Sequence, residues 1–295
     1  MSETHTPVPG VGMDDFVAAV RARVAERAPD LLDVYDIYAQ EARFARNLFA
    51  PNLSLLPKGA AVMEIGAGMM LFSCQMQREG FDVTSIEPVG DGFSHFHQLQ
   101  NLVLSYASEI GCHPRVLSIP AELLDLAGEF DFACSANVME HVSDVAEVLR
   151  RVVHALKPGG LYRFMCPNYR FPYEPHFNLP TLFSKRLTAR VMKRAIFEGG
   201  RLPDPHGTWR SLNWITVGQV RAIGRTIPAV TMRFRRDFLA DSLLRVHTDL
   251  TFASRRPRWL RQIIGVLVKW RIHRATLCVP VAIQPAIDCT IRRNQ

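Results

Sequence analysis

A chain of 295 residues, 48% hydrophobic and 21% charged, suits one large α/β domain with extensions or two small domains. That balance excludes a disordered tail, and with no repeat or low-complexity tract, solenoid and fibrous folds are excluded too. The net charge of +7 is unevenly spread: residues 1–160 carry 11 Lys+Arg against 21 Asp+Glu, residues 161–295 carry 24 against 7. A basic second half points to an anionic partner, although solvated faces absorb many charges.

Residues 1–12 read as a leader. Met13–Arg27 and Asp30–Phe49 read as helices, the first with Phe16, Val17, Val20 and Val24 on one face and Asp14 and Asp15 favouring its dipole. Pro51, Pro57 and Lys58-Gly59 close this N-terminal part, residues 1–58. Strand and helix then alternate: strands at Ala61–Ile65, Val83–Ile86, Val116–Ile119, Phe130–Ser135 and Leu161–Cys166, helices at Leu71–Glu79, Phe93–Glu109 and Val145–Leu156. Such alternation implies parallel strands joined by right-handed crossovers, an α/β doubly wound sheet whose ligands bind at the strands' carboxyl ends. This core spans residues 59–168. Residues 169–295 are expected to supply a cap rich in Pro, Phe, Arg and His, a helix opened by Thr216 and Gln219, and two last strands at Thr231–Arg235 and Cys289–Arg292.

The sharpest local signal is Glu64-Ile65-Gly66-Ala67-Gly68, where the first strand turns into a helix. Glycines there let a ligand approach backbone and free helix N–H groups. Glu87 closes the second strand and can accept from both hydroxyls of a ribose. Leu71 stands where a dinucleotide fingerprint wants its third glycine, and no Walker lysine follows, so the loop is not built for a pyrophosphate.

These two motifs, followed by the run from Phe130 to Asn168, resemble class I S-adenosylmethionine-dependent methyltransferases over about residues 60–168. The resemblance implies a seven-stranded Rossmann-like sheet and S-adenosylmethionine as cofactor. It implies that Glu64, Gly66, Ala67 and Gly68 line the methionine and ribose part, that Glu87 holds the ribose, and that Pro120, Ala121 and Glu122 form the adenine loop. Ser135 and Asn137 would lie beside the methionine moiety. Two positions depart from the family: Met70 replaces its third glycine, and Pro120 its adenine-loop aspartate.

Transfer from a sulfonium needs alignment, and a general base when the acceptor is a hydroxyl. His141 and His176 are the candidate bases, since loops after the fourth and fifth strands should flank the transferred methyl; His206 is weaker. Glu140-His141 resembles part of a Glu-x-x-Glu-His metal element of certain quinone O-methyltransferases, but Asn137 replaces the first Glu, so no metal is expected. Arg255–Arg274 reads as a basic amphipathic helix with two tryptophans, suited to a membrane interface, to packing on the core or to a dimer contact.

The expected activity is methyl transfer to an oxygen, ahead of nitrogen or carbon, of a small or lipid-linked, anionic acceptor. A non-catalytic nucleoside-binding module and a nucleic-acid methyltransferase are the rivals. Against the second, the amino-methyltransferase Asn/Asp-Pro-Pro-Tyr/Phe motif is missing, with only Pro167-Asn168-Tyr169 as an echo. Scattered cysteines, the absence of a secretory signal in MSETHTPVPG and the lack of a long apolar run lead to a cytoplasmic expectation, with peripheral attachment to the inner face of the membrane.

Overall fold

The computed structural model describes residues 12–88, 94–200, 204–248 and 258–295. Its spine is a seven-stranded sheet in the order β3-β2-β1-β4-β5-β9-β8. The strands β1 (Ala61–Ile65), β2 (Asp82–Ile86), β3 (Arg115–Leu117), β4 (Phe130–Ala136) and β5 (Leu156–Pro167) run parallel. The last two, β8 (Val230–Phe234) and β9 (Ala286–Arg293), add antiparallel pairings at the β5 edge. The mostly parallel, doubly wound sheet expected from the alternation is thus present.

Period-two alternation feeds two hydrophobic layers. Met63 and Ile65 of β1 point into one, with Val148, Leu149 and Val152 of α5 (Val145–Ala155); Val62 points into the other. That second layer packs against α1 (Met13–Arg27), α2 (Leu32–Leu53), α3 (Leu71–Arg78) and α4 (Ser94–Glu109) through Phe16, Tyr35, Phe49, Phe72 and Leu99. The N-terminal helices therefore share the sheet's core. Asp144 starts α5 by accepting from the N–H groups of Ala146 (2.9 Å) and Glu147 (3.0 Å), leaving its apolar stripe free to pack.

Several boundaries differ from expectation, β9 among them, which starts at Ala286 rather than Cys289. Helix α2 continues through Pro51 to Leu53. The ring fits helical φ and forfeits one backbone bond in the last turn, while Phe49 and Leu53 are fully buried around it. Strand β5 begins at Leu156, which pairs with Phe130, and the Lys157-Pro158-Gly159-Gly160 stretch bulges out before pairing resumes between Leu161 and Phe132. Strand β3 lies one to two residues earlier than predicted. The leader up to residue 11, Phe93 and residues 255–257 lie outside the described residues.

The cap after β5 comprises a two-stranded hairpin, β6 (Tyr173–Glu174) with β7 (Leu179–Pro180), and the short helices α6 (Lys185–Val191), α7 (Lys193–Phe197) and α8 (Pro205–Ser211). Helix α9 (Val217–Gly224) opens as expected, the Thr216 hydroxyl accepting from Gln219 N–H at 3.2 Å. Between β8 and β9 lie α10 (Phe238–Thr248) and α11 (Arg258–Lys269), followed by a 3-10 turn at Ile272–Cys278. All six cysteines are free, and only Cys278 is exposed. Among the described residues no helix is long and apolar enough to cross a membrane.

Candidate active site

The turn after β1 is built by backbone conformation. Gly66 and Gly68 have φ of +70° and +54°, which favour glycine. At Gly66 the restriction is also steric: a Cβ would stand 2.3 Å from Val138 Cγ2, so the β4 loop closes directly over it. Above Gly68 there is room, the nearest atom being Phe96 Cζ at 3.4 Å from a Cβ position. Met70 also takes a left-handed conformation, φ +65°, at the start of α3. That costs about 1–2 kcal/mol. Its side chain is fully buried, which returns about 1.5–3 kcal/mol, so the chain tolerates methionine where the family has glycine.

Two acids flank this turn. Glu64 is buried, and its carboxyl accepts from Ser73 Oγ at 2.5 Å, with Ser85 hydrogen-bonded to Ser73 behind it. Burial, with the nearby Glu87 charge, pushes its pKa up to about 8. Glu87 is half-buried and accepts from Gly68 N–H through Oε2 at 2.7 Å. Desolvation raises its pKa, against the opposing pull of that bond. Tyr38 of α2 packs edge-on against Phe96 (5.2 Å between rings), and burial plus Glu41 and Glu87 raise its pKa. The N-terminal helix therefore forms one wall of the crevice.

A second cluster lies at the ends of β4 and β5. Glu140 is fully buried, and neither carboxyl oxygen has a hydrogen-bond partner among the described residues. Burial pushes its pKa up to about 7. The His141 and His176 rings meet edge-on at 5.1 Å. His176 Nδ1 lies 2.6 Å from Glu174 Oε1, and Glu174, fully buried, also accepts from Tyr169 Oη (3.2 Å) and Phe177 N–H (2.6 Å). His141 Nδ1 lies 2.8 Å from Ser211 Oγ. Desolvation, with His176 adding to it, pushes the His141 pKa down to about 4. Desolvation opposes charge on His176, but the Glu174 hydrogen bond and charge outweigh it and raise the pKa. Asn213 fixes the loop, donating from Nδ2 to the carbonyls of Met139 and Val142, both at 2.8 Å.

The other predicted residues are placed differently. Glu122 accepts from Ser143 N–H (2.7 Å), Ser143 Oγ (2.8 Å) and Asp144 N–H (3.3 Å), so its carboxylate ties down the start of α5. Ser135 Oγ is buried against Tyr162 Oη at 2.8 Å. Asn137 is exposed at φ +57°, its N–H bonded to Met165 O. Pro120 is exposed and Ala121 buried at the turn after β3. His206 stacks on Phe197 at 4.5 Å, away from the histidine pair's hydrogen bonds. Sequence reasoning missed Tyr38, Glu41, Glu174 and Ser211; of these only Glu174, two residues from His176, carried a local signal. Two open cavities, one by Arg170, Phe171 and Phe183 and one by Arg221, Arg225 and Arg233, include no residue of the β1 turn.

The methyltransferase-domain family pattern matches residues 35–213, more than half of the chain, and the chain belongs to that family. Its fold and motif order are those of a class I S-adenosylmethionine-dependent methyltransferase, with S-adenosylmethionine as cofactor. The uncharacterized protein Rv1509 of Mycobacterium tuberculosis is 46% identical over 282 residues, 96% of this chain and 95% of its own. A ubiquinone biosynthesis O-methyltransferase of Xanthomonas axonopodis pv. citri is 33% identical over 108 residues, covering 36% of this chain and 42% of that protein. The solved phosphoethanolamine N-methyltransferase 2 of Haemonchus contortus, in complex with S-adenosyl-L-methionine, shares the fold: TM-score 0.50, 14% identity, 93% of this chain and 60% of that one. The site suits such a nucleoside in the acid of Glu87 at the turn, which has one oxygen without a hydrogen-bond partner among the described residues.

Proposed function

We propose that the chain transfers a methyl group to an oxygen of a small or lipid-linked, anionic acceptor, which lies against the His141–His176 cluster. When bound, the cofactor supplies a methyl on a positively charged sulfur, so no further activation of the donor is needed. Gly66, Ala67 and Gly68 present backbone to it, and Glu87 accepts from the ribose hydroxyls. Glu64 supports the turn from behind through Ser73. Pro120 and Ala121 border the adenine, with Glu122 holding that loop to α5. Asn137 and the backbone at Ser135 flank the methionine arm.

The observation that carries the acceptor side is the Glu174–His176 pair. A carboxylate on Nδ1 keeps that nitrogen protonated and leaves the Nε2 lone pair available. A hydroxyl acceptor needs such a lone pair to take its proton as the oxygen attacks. The partial similarity to ubiquinone O-methyltransferases supports oxygen as the acceptor atom. Glu87→Ala tests the cofactor half. Each hydrogen bond to a charged group contributes about 1.5–3 kcal/mol, so S-adenosylhomocysteine affinity by calorimetry should fall roughly 10–100-fold. Unchanged affinity would move the ribose elsewhere.

Support for a lipid-linked acceptor comes from α11. Trp259 and Trp270 are 61% and 71% exposed, alongside exposed Ile263 and Val266; Ile264 alone is buried, against Val246. Arg258, Lys269, Arg271 and Arg274 flank them. Each basic residue near an anionic leaflet contributes about 1 kcal/mol. The protein should float with phosphatidylglycerol vesicles at low salt and not with phosphatidylcholine alone, and Trp259→Ala with Trp270→Ala should release it. Equal recovery from both vesicle types, or none, would leave α11 without a membrane role.

A further inference from the structure

We propose that Glu140, His141 and His176 bind one divalent transition-metal ion of the zinc type. The geometry sets acceptors against acceptors. Ser211 Oγ donates to Thr208 O at 2.9 Å, so toward His141 Nδ1 it can only accept, and the His141 hydrogen sits on Nδ1. The Glu174 carboxylate fixes the His176 hydrogen on Nδ1 in the same way. Both neutral rings therefore keep their lone pair on Nε2. His141 Nε2 lies 4.0 Å from Glu140 Oε1, whose carboxyl group is buried with neither oxygen hydrogen-bonded among the described residues.

One ligand atom from each of the three residues lies within 4.8 Å of the others. Three electron-pair donors thus gather around one buried carboxyl. Bonds of about 2.0–2.2 Å to zinc require the ligands to draw in by roughly an ångström, within reach of side-chain rotation. Two imidazoles and one carboxylate favour zinc or cobalt over magnesium, which prefers oxygen alone. Each ring already has an orienting partner on its far nitrogen, Ser211 or Glu174, as metal-bound histidines do. The sequence argued against a metal because Asn137 stands where a first glutamate would; in the fold the missing ligand arrives from the cap as His176.

This competes with the functional reading above at one atom: a His176 Nε2 lone pair bound to an ion cannot also take the acceptor's proton, so the proton-accepting role belongs to the ion-free protein. The test therefore omits turnover. The full-length protein, stripped with a chelator, is titrated with Zn2+ by calorimetry and with Co2+ by visible absorption. The expected result is one ion per chain with cobalt bands typical of nitrogen ligation. Glu140→Gln and His176→Ala should abolish that binding, and Glu174→Gln should weaken it by about 10–100-fold. Metal-free Glu140→Gln should melt no lower than the parent, because it replaces an unpartnered buried carboxyl with a neutral isostere. No binding by the parent, or equal binding by Glu140→Gln, overturns the site. A loss of turnover in His176→Ala with no ion bound would leave the proton-accepting role standing alone.

Discussion

His176→Ala is expected to lower turnover by about 10²–10⁴-fold while leaving S-adenosylhomocysteine affinity unchanged. The imidazole stands in the turn of the β6–β7 hairpin, where it pairs with Glu174, and among the described residues no hydrogen bond joins it to the Gly66–Gly68 turn or to Glu87. Loss of affinity together with turnover would show that the hairpin merely supports the crevice. A pH profile separates the roles further. The working form of His176 is the neutral imidazole, and Glu174 raises its pKa above the ordinary histidine value. Turnover should therefore rise as pH climbs through that raised value. The groups facing the ring are Glu174, Glu140, Glu41 and His141. His141, pushed down to about 4, stays neutral across the neutral range and adds no limb there. Glu174→Gln removes the group that raises the pKa, so the limb should move to lower pH. A limb that stays in place would assign it to another group, Glu140 being the alternative with a value near 7.

How much of this was legible in the chain follows from what is local. The strands β1, β2 and β4 and the later part of β5 appear as short apolar runs because they are buried on both faces, whereas the edge strand β3 is not, and the helices between them carry period-3.6 stripes. The β1 turn and Glu87 were readable for the same reason, each lying within a few residues of a strand end. The acceptor side was not. Its groups come from residues 140 and 141 after β4, 174 and 176 in the cap hairpin, and 211 at the end of α8, with Glu41 of α2 adding charge. No spacing in sequence brings those together; packing does. Glu122 shows a side-chain partner that the sequence does not reveal. At a position the family places near adenine, its carboxylate is spent on Ser143 and Asp144, a contact 21 residues away that no local pattern announces. Met70 shows that a glycine signature can be met by another residue when burial offsets the strained φ.

Arg163→Met should cost about 3–5 kcal/mol of stability, a large share of the roughly 5–15 kcal/mol available to a domain. Arg163 rises from β5 and grips Asp288 of the antiparallel neighbour β9 with Nε (2.9 Å) and Nη2 (2.7 Å). Its Nη1 donates to Leu48 O and Asn52 Oδ1, both 2.9 Å away, at the end of α2. Asp288 is almost fully buried, and without Arg163 the cation left beside it among the described residues is Arg235, 3.8 Å away. A urea titration of the single variant should show the loss, and adding Asp288→Leu should recover most of it, because the cost lies in stranding a charge rather than in losing a pair. A single variant within 1 kcal/mol of the parent would mean that water or Arg235 takes over. The consequence reaches the active site, since α2 carries Tyr38 and Glu41 along the crevice. Loosening its far end should weaken S-adenosylhomocysteine binding although Arg163 touches none of the proposed binding residues. In the double variant stability should return while the α2 contacts stay missing, so affinity that remains low would identify α2 as the wall that positions the cofactor.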